Sequence, residues 1–399
     1  MEALVPEAVI RLAIADGLAD PRLGSAAQWA AVAEYVDSRG EDPWPMRRAR
    51  IAEQGASRDD LVRWLEQDVA TAAPLMRAFT SHDTSIEHAV VDVDPGEVEL
   101  LTAWLSERAG VPVGVLEATV IGGGFSRRMW RATLRQADEV RRVIVRVEQG
   151  GMFDTDTVSE VATMRALHAA GFAVPAVEAM EQSGAVLGQP FFIMEEVPGV
   201  VRVDDEGLDD IIRSVDDLHR VPASVLDASG RTPEQVIADT IEGWRARYRR
   251  HAPEIPLVER GADWLREHLM PTGPTVIVHG DAGPGNALYE PARGITTIDW
   301  EFAHVGDAAE DWAYLALIRG RRLMDADSWK ARIARVAGIE YSPEQWRMWL
   351  AYNHFRGACV NLSARTVFEN GPRRSADQLA IGVAVHLRFL SQLVEITES

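Results

Sequence analysis

The sequence predicts an α+β protein: a small antiparallel β lobe, then a larger helical lobe, preceded by an N-terminal helical extension. Three observations predict it. Through residues 1–90 apolar residues recur at three- and four-residue spacing, the period of a helix face. From residue 113 the pattern changes to short runs enriched in Val, Ile and Thr. After Gly199 the helical period returns, interrupted by one brief β-rich insert. On this reading the chain divides into residues 1–95, 96–198 and 199–399.

In the extension, Pro6–Gly17, Ser25–Arg39 and Ser57–Phe79 read as helices, with Ser25 and Ser57 as N-caps. Glu41 to Pro45 is a breaker-rich turn. Trp29, Trp44 and Trp64 read as core or interface residues, and no chemical motif is present. These helices are expected either to dock on the β-rich lobe or to mediate homodimerisation. Asp92–Gly96 reads as a polar hinge and Pro95–Gly110 as the helix that opens the next unit. Strands follow at Val115–Ile121, Met129–Arg135 and Val143–Val147, then a helix at Thr157–Ala170 closed by Gly171. The strand Phe191–Glu195 ends on Val197, Pro198 and Gly199. One helix among consecutive strands argues against the alternating units of a doubly wound sheet. Within the helical lobe, Thr275–Val278, Ala287–Tyr289 and Ile295–Ile298 are short strands, and helices resume from Asp307.

Composition narrows the function. Of 399 residues, 47% are hydrophobic and 26% charged, the balance of a globular chain. A net charge of −20 argues against a nucleic-acid partner, because phosphate binding wants a basic face. The single cysteine, Cys359, permits no internal disulfide and no cysteine-rich zinc site. Met1–Ile10 carries acids and a proline with no basic patch before an apolar run, unlike a signal peptide. Leu379–Val394, interrupted by His386 and Arg388, falls short of the ~20 apolar residues of a membrane span and reads as a buried helix. The expected location is cytoplasmic, with no membrane partner.

The chemistry-bearing segment runs from Val278 through His279, Gly280 and Asp281 to Asn286, then from Gly294 to Asp299 and Glu301. Asp281 and Asn286 stand five apart in a loop too rich in Gly and Pro for a helix. Asp299 closes a strand thirteen residues after Asn286, and a hairpin of that length returns it to Asn286's side. Phosphoryl transfer needs this set: a carboxylate to orient the attacking hydroxyl and accept its proton, and an amide oxygen with a second carboxylate to hold Mg²⁺. The plainer alternative, that each aspartate is a turn or cap residue, does not account for the three together.

The segment resembles the catalytic loop and metal-binding strand of the aminoglycoside and choline phosphotransferase superfamily, relatives of protein kinases. The resemblance implies a protein-kinase-like two-lobe fold, Asp281 as catalytic base, and Asn286 and Asp299 as magnesium ligands. It also implies ATP, with GTP as an alternative donor. Gly306 to Ala313 is similar to the family's Gly-Asp-Pro-x-x-Asp-Leu-Ala, in which Asp311 would order the catalytic loop. Upstream, Gly123, Gly124, Phe125 and Ser126 lie in a turn between two strands that would lay its amides over phosphates; a plain hairpin is the competing reading. Kinases hold the phosphates with a strand lysine, but the only lysine here, Lys330, is far downstream. Arg146 occupies the matching strand position, which resembles the branch fused to acyl-CoA dehydrogenases, and Glu160 in the next helix is its expected partner. Met194 to Val197 resembles the inter-lobe hinge, where backbone groups of Glu195 and Val197 would meet the adenine edge.

Charge bears on the acceptor. Residues 1–110 hold 20 acids against 10 bases, whereas residues 321–399 hold 8 acids against 11 bases. Arg321, Arg322, Arg332, Arg335, Arg356, Arg365, Arg373 and Arg374 either solvate a helical face or converge on an anionic acceptor, such as a hydroxyacyl-CoA or a phosphorylated metabolite. Two other functions are weighed. One is a nucleotide-binding pseudokinase that regulates a partner. The other is a two-metal hydrolase built on His279, Asp281, Asp299 and Glu301, with His304 as a further candidate ligand.

Overall fold

The computed structural model describes residues 7–19, 24–38, 57–80, 91–121, 127–149, 151–227, 229–371 and 374–398. Trp44, the turn Glu41 to Pro45 and the Gly-rich turn at residues 122–126 lie outside these.

The β lobe is one six-stranded antiparallel sheet. Its strands are β1 (Val91–Asp92), β2 (Val113–Ile121), β3 (Arg127–Gln136), β4 (Glu139–Glu148), β5 (Val177–Glu181) and β6 (Phe191–Glu195), in the order β1-β2-β3-β4-β6-β5. Two strands correct the sequence reading. Val91–Asp92 is an edge strand paired with Val120 and Thr119, not a hinge, and β5 was not anticipated. The helix Pro95–Ala109 begins where the Asp94 side chain accepts from the Gly96 and Glu97 amides, and ends at left-handed Gly110.

The two-residue period of β4 decides what enters the cleft. Val143, Val145 and Val147 face the core shared with Leu101, Trp130 and Phe191. Ile144 faces the other way, into a cluster with Met164 of the helix Thr157–Ala169, Phe192 and Trp300. Arg146 follows Ile144 by two residues and so shares this inner face.

The helical lobe is built around Trp312, Trp329, Trp349, Tyr352 and Phe355, all buried. Two ribbons sit on it: β7 (Val276–Val278) paired with β10 (His304–Gly306), and β8 (Ala287–Glu290) paired with β9 (Gly294–Thr297). β10 is a further strand the sequence did not announce. Val200 and Tyr289 exchange two backbone hydrogen bonds, tying the segment after β6 to β8. Gly199 permits that approach, since a Cβ there would stand 3.0 Å from the Leu288 Cβ. The kinase-like arrangement of a small antiparallel sheet and a larger helical portion is thus present.

The N-terminal helices dock on the helical lobe, not on the β lobe. The expected helix from Ser57 is two, Arg58–Thr71 and Ala73–Thr80, with a break at Ala72 and Ser57 in a capping box with Asp60. Trp29, Val32 and Leu75 share a core with Phe368, Leu379 and Ala380, while Leu61 and Leu65 join the main helical core. Trp64 is half-buried against it. The C-terminal run Ala376–Thr397 is longer than expected, 22 residues with a mean hydropathy of 1.5, long and apolar enough to cross a membrane by composition. More than half of it is buried, with Leu390 and Leu393 in the main core.

The docking of the extension is testable by stability. Trp29 is 1% exposed. Trp29→Ala is expected to lower the unfolding free energy by about 3–5 kcal/mol, measured by urea denaturation, as for other buried aromatic truncations. A loss below about 1 kcal/mol would show that the extension adds nothing to the folded core.

Candidate active site

The loop after β7 is fixed from beneath. Gly280 has φ +77, and a Cβ there would stand 2.7 Å from the Phe302 carbonyl, so only glycine fits the turn. The buried Asp311 carboxylate accepts from the backbone amides of His279 (2.9 Å) and Gly280 (2.8 Å) and from His219 Nε2 (3.1 Å). Burial opposes its charge, but His219 and these donors hold its pKa below the ordinary carboxylate range. His279 is set by its neighbours: the Asp281 amide donates to Nδ1 at 3.1 Å, leaving Nε2–H to donate to the Ile298 carbonyl at 3.0 Å. Both ring nitrogens are therefore occupied. His304 bonds the Phe302 carbonyl and Glu310. Among the described residues no three His, Cys, Asp or Glu side chains are grouped to hold a metal, so the two-metal reading loses its histidines.

Asp281 and Asn286 meet directly. The Asn286 amide donates to the Asp281 carbonyl (2.9 Å) and to its Oδ2 (2.8 Å), which leaves Oδ1 of Asn286 as its acceptor face. The Ile298 amide donates to the Asn286 carbonyl at 3.0 Å, so the β8–β9 hairpin does return Asp299 to Asn286's side. Asp299 has φ +69, rare for a non-glycine residue, and lies between half-buried Ile298, whose amide is bonded to Asn286, and buried Trp300.

Arg146 reaches across from the β lobe. Its guanidinium donates to Asp299 Oδ1 at 2.8 Å and pairs with Glu160 at 3.1 Å. Burial opposes the charge of Arg146, but Glu160, Asp299 and Glu301 outweigh it and raise its pKa. For Asp299 burial acts against ionisation and Arg146 more than offsets it, so its pKa is lowered. Arg127 lies 3.6 Å from Glu160 and 3.7 Å from Glu301, whose Oε2 also accepts from Thr155. Two guanidiniums thus face three carboxylates. Burial and repulsion by Asp299 push the Glu301 carboxyl up to about 7. An amide oxygen and one carboxylate are a sufficient protein contribution to a Mg²⁺ site whose other ligands are phosphate and water, so Asn286 and Asp299 fit the ion.

Of the remaining expected site residues, Glu195 pairs with Arg293 and its amide is bonded to the Ala176 carbonyl, so its backbone offers only a carbonyl. Val197 is buried on the segment that leads to Val200. Gly123, Gly124, Phe125 and Ser126 lie outside the described residues. The C-terminal arginines do not converge as a set. Arg332 and Arg335 pair with Asp209, Arg356 is buried with Glu310, Arg365 is paired with Glu369, and Arg374 bonds the Glu369 carbonyl. Arg373 is outside the described residues.

The sequence reading missed Arg319. Its Nε donates to Asp281 Oδ1 at 2.9 Å and its terminal nitrogen bonds Oδ2, a two-pronged clamp on a nearly buried carboxylate. Half-buried Tyr314 stands beside it; burial and Asp281 both raise its pKa. Arg319 ends a five-residue π-helical turn, Leu315–Arg319, whose shifted register no periodicity reveals. Gly283 makes room for it: a Cβ there would lie 2.2 Å from the Arg319 Cβ.

The chain belongs to the phosphotransferase enzyme family (APH), whose model matches residues 117–349. It is similar to acyl-CoA dehydrogenase family member 10 of Mus musculus, 29% identical over 240 residues, which is 50% of this chain and 22% of that protein. It is also similar to acyl-CoA dehydrogenase family member 11 of Pongo abelii, 24% identical over 251 residues, 55% of this chain and 32% of that protein. The chain therefore spans well under half the length of these curated relatives. In structure it is similar to a putative aminoglycoside phosphotransferase of Ralstonia eutropha JMP134 (TM-score 0.53, 23% identity, 75% of this chain and 98% of that one). It is likewise similar to choline kinase LicA of Streptococcus pneumoniae (TM-score 0.54, 15% identity, 74% and 98%). At these identities the structures bear on the fold, and that fold is the kinase-like one.

The passage of Arg319 over Gly283 generates a prediction independent of activity. Gly283→Ala forces the Arg319 stem aside and is expected to destabilise the protein by about 1–3 kcal/mol in urea unfolding, the range for overpacking a filled site. A change within about 0.5 kcal/mol would mean that Arg319 moves freely and does not clamp Asp281.

Proposed function

We propose that the protein transfers the γ-phosphoryl group of ATP, with GTP as an alternative donor, to a hydroxyl of a small molecule. The single observation that supports this most is the meeting of four groups: Asp281 bonded to Asn286, Asp299 returned to Asn286 by the hairpin, and Arg146 on Asp299 from the other lobe.

In this reading Asp281 orients the acceptor hydroxyl and takes its proton. Arg319 and Asn286 bond its carboxylate and Tyr314 stands beside it, so an incoming hydroxyl would meet a carboxylate already fixed in place. Asn286 Oδ1 and Asp299 would hold Mg²⁺, which would offset the charge of the phosphates. Arg146, placed by Glu160, would turn its fork to the α- and β-phosphates, and the turn at Gly123, Gly124, Phe125 and Ser126 would cover them. The Glu195 carbonyl and the Val197 backbone would meet the adenine edge.

The test is incubation with Mg-ATP and a panel of hydroxylated metabolites, read by mass spectrometry of the phosphorylated product. Asp281→Asn keeps the shape but loses the proton acceptor, so kcat is expected to fall ~10²–10⁴-fold with nucleotide affinity retained. Asp299→Ala should abolish productive Mg-ATP binding instead. Near-normal transfer by Asp281→Asn would remove it from the role of base.

Arg146→Ala separates the nucleotide-binding role from the catalytic one. It should raise the Kd for Mg-ATP by at least about tenfold, as expected for a lost charge-assisted contact. Unchanged nucleotide affinity in a folded variant would leave Arg146 a purely structural link between the lobes.

A further inference from the structure

The turn that carries Arg319 to Asp281 also contributes Ala316 and Leu317 to the wall of a cavity of about 350 Å³. That is about ten times the ~30 Å³ share of one water in the liquid, enough for a phosphate or pyrophosphate group with some of its hydration. Three arginines line it: Arg321 and Arg322, just past the turn, and Arg388 from the C-terminal helix. Arg388 had registered in the sequence only as an interruption of an apolar stretch.

These three differ from the paired arginines around them. Among the described residues none of the three has a carboxylate within ion-pair distance or a hydrogen-bond partner, whereas Arg319, Arg332, Arg335 and Arg356 each have a carboxylate. Asp325 borders the cavity, but its two oxygens are occupied by the Ser328 amide and hydroxyl. Burial, then the neighbouring Arg388 and Arg322, lower the pKa of Arg321; burial and Arg322 lower that of Arg388. Three like charges beside a single carboxylate, Asp325, are unfavourable unless a ligand supplies further negative charge.

A second observation points the same way. His354 lines the cavity, is 97% buried by its 3% exposure, and its Nδ1 has no hydrogen-bond partner. Burial and Arg388 hold it down to about 4, so at neutral pH it adds no further repelling charge. A buried polar atom of this kind normally has a partner.

We propose that this cavity is an anion site for the phosphate- or pyrophosphate-bearing end of the acceptor, whose hydroxyl end reaches Asp281. The assignment of the anion to the acceptor rests on the phosphotransferase reading; the anion site itself does not. The nucleotide's own phosphates are claimed by Arg146 on the β lobe, whereas every residue lining this cavity belongs to the helical lobe. One short turn carries both Arg319, which clamps Asp281, and the cavity-wall residues Ala316 and Leu317.

Two measurements test it. Inorganic pyrophosphate is titrated calorimetrically into the full chain in metal-free buffer. Wild type should bind it, the doubly substituted Arg321→Gln/Arg322→Gln protein should bind at least about tenfold more weakly, and Arg266→Gln, at an exposed arginine outside both sites, should match wild type. The two substituted arginines are exposed, and an unchanged thermal melt shows that the variant folds. Should pyrophosphate fail to bind, or bind the double variant as tightly as wild type, the anion site is wrong. The second measurement compares phosphate-bearing hydroxyl compounds with their dephosphorylated counterparts under Mg-ATP. The phosphate-bearing members should be preferred, and the double variant should raise their KM about tenfold or more with little change in kcat. Equal use of both members of each pair would overturn the acceptor assignment and make the cavity a site for free phosphate. Pyrophosphate binding with no transfer to any compound would uphold the anion site and sink the phosphotransferase reading instead.

Discussion

One buried guanidinium holds the two lobes in register. Arg146 leaves the inner face of the sheet, pairs with Glu160 of the helix Thr157–Ala169 behind that face, and donates to Asp299 on the hairpin of the other lobe. A lysine ammonium is a point charge on a flexible stem, whereas the planar fork of arginine can meet two carboxylates at once. Burying these charges carries a desolvation penalty that only good geometry offsets, so the contact is poor evidence for extra stability. Its value lies in position. It ties the sheet to the hairpin at Asp299. With Arg127 added, the cluster still has one carboxylate more than it has guanidiniums, and Glu301 takes up the excess by holding its proton to about pH 7.

The opposite wall shows how a loop without regular structure is made rigid. Asp311 receives two successive backbone amides and a histidine, His279 bridges the Asp281 amide to the Ile298 carbonyl, and Asn286 bonds Asp281 twice. Each element of the loop is thereby tied to the hairpin that carries Asp299. Preorganisation of this kind lets a carboxylate act without reorganising when charge develops. Arg319 completes the cage from a turn that also walls the arginine-lined cavity.

Much of this was legible in the sequence, because strong local patterns and short sequence separations carried it. β2, β3, β4 and β6 were read from their β-branched and aromatic runs, and the return of Asp299 to Asn286 followed from the length between them. What was missed depends on distant partners. Val177–Glu181 has two glutamates in five residues and becomes a strand only because β6 offers it an edge. His304–Gly306 is too short to signal a strand alone and exists by pairing with β7. The docking of the N-terminal helices on the far end of the chain joins Trp29 to Leu379, a pairing that amphipathicity cannot specify. Arg319 and Arg388 were hidden for related reasons: one ends a π-helical register shift, and the other interrupts an apolar helix and meets Arg321 and Arg322 only in the folded chain.

The account stands on Arg146 and Asp299 acting as one unit across the cleft rather than as two separate side chains. A double-mutant cycle on Mg-ADP affinity, using Arg146→Gln, Asp299→Asn and the double variant, measures that unit directly. Residues in one ion-pair network are expected to be coupled by about 0.5–3 kcal/mol, so the double variant should bind Mg-ADP clearly better than the sum of the two single losses implies. Additive losses, or a wild-type protein that does not bind Mg-ADP at all, would contradict the account.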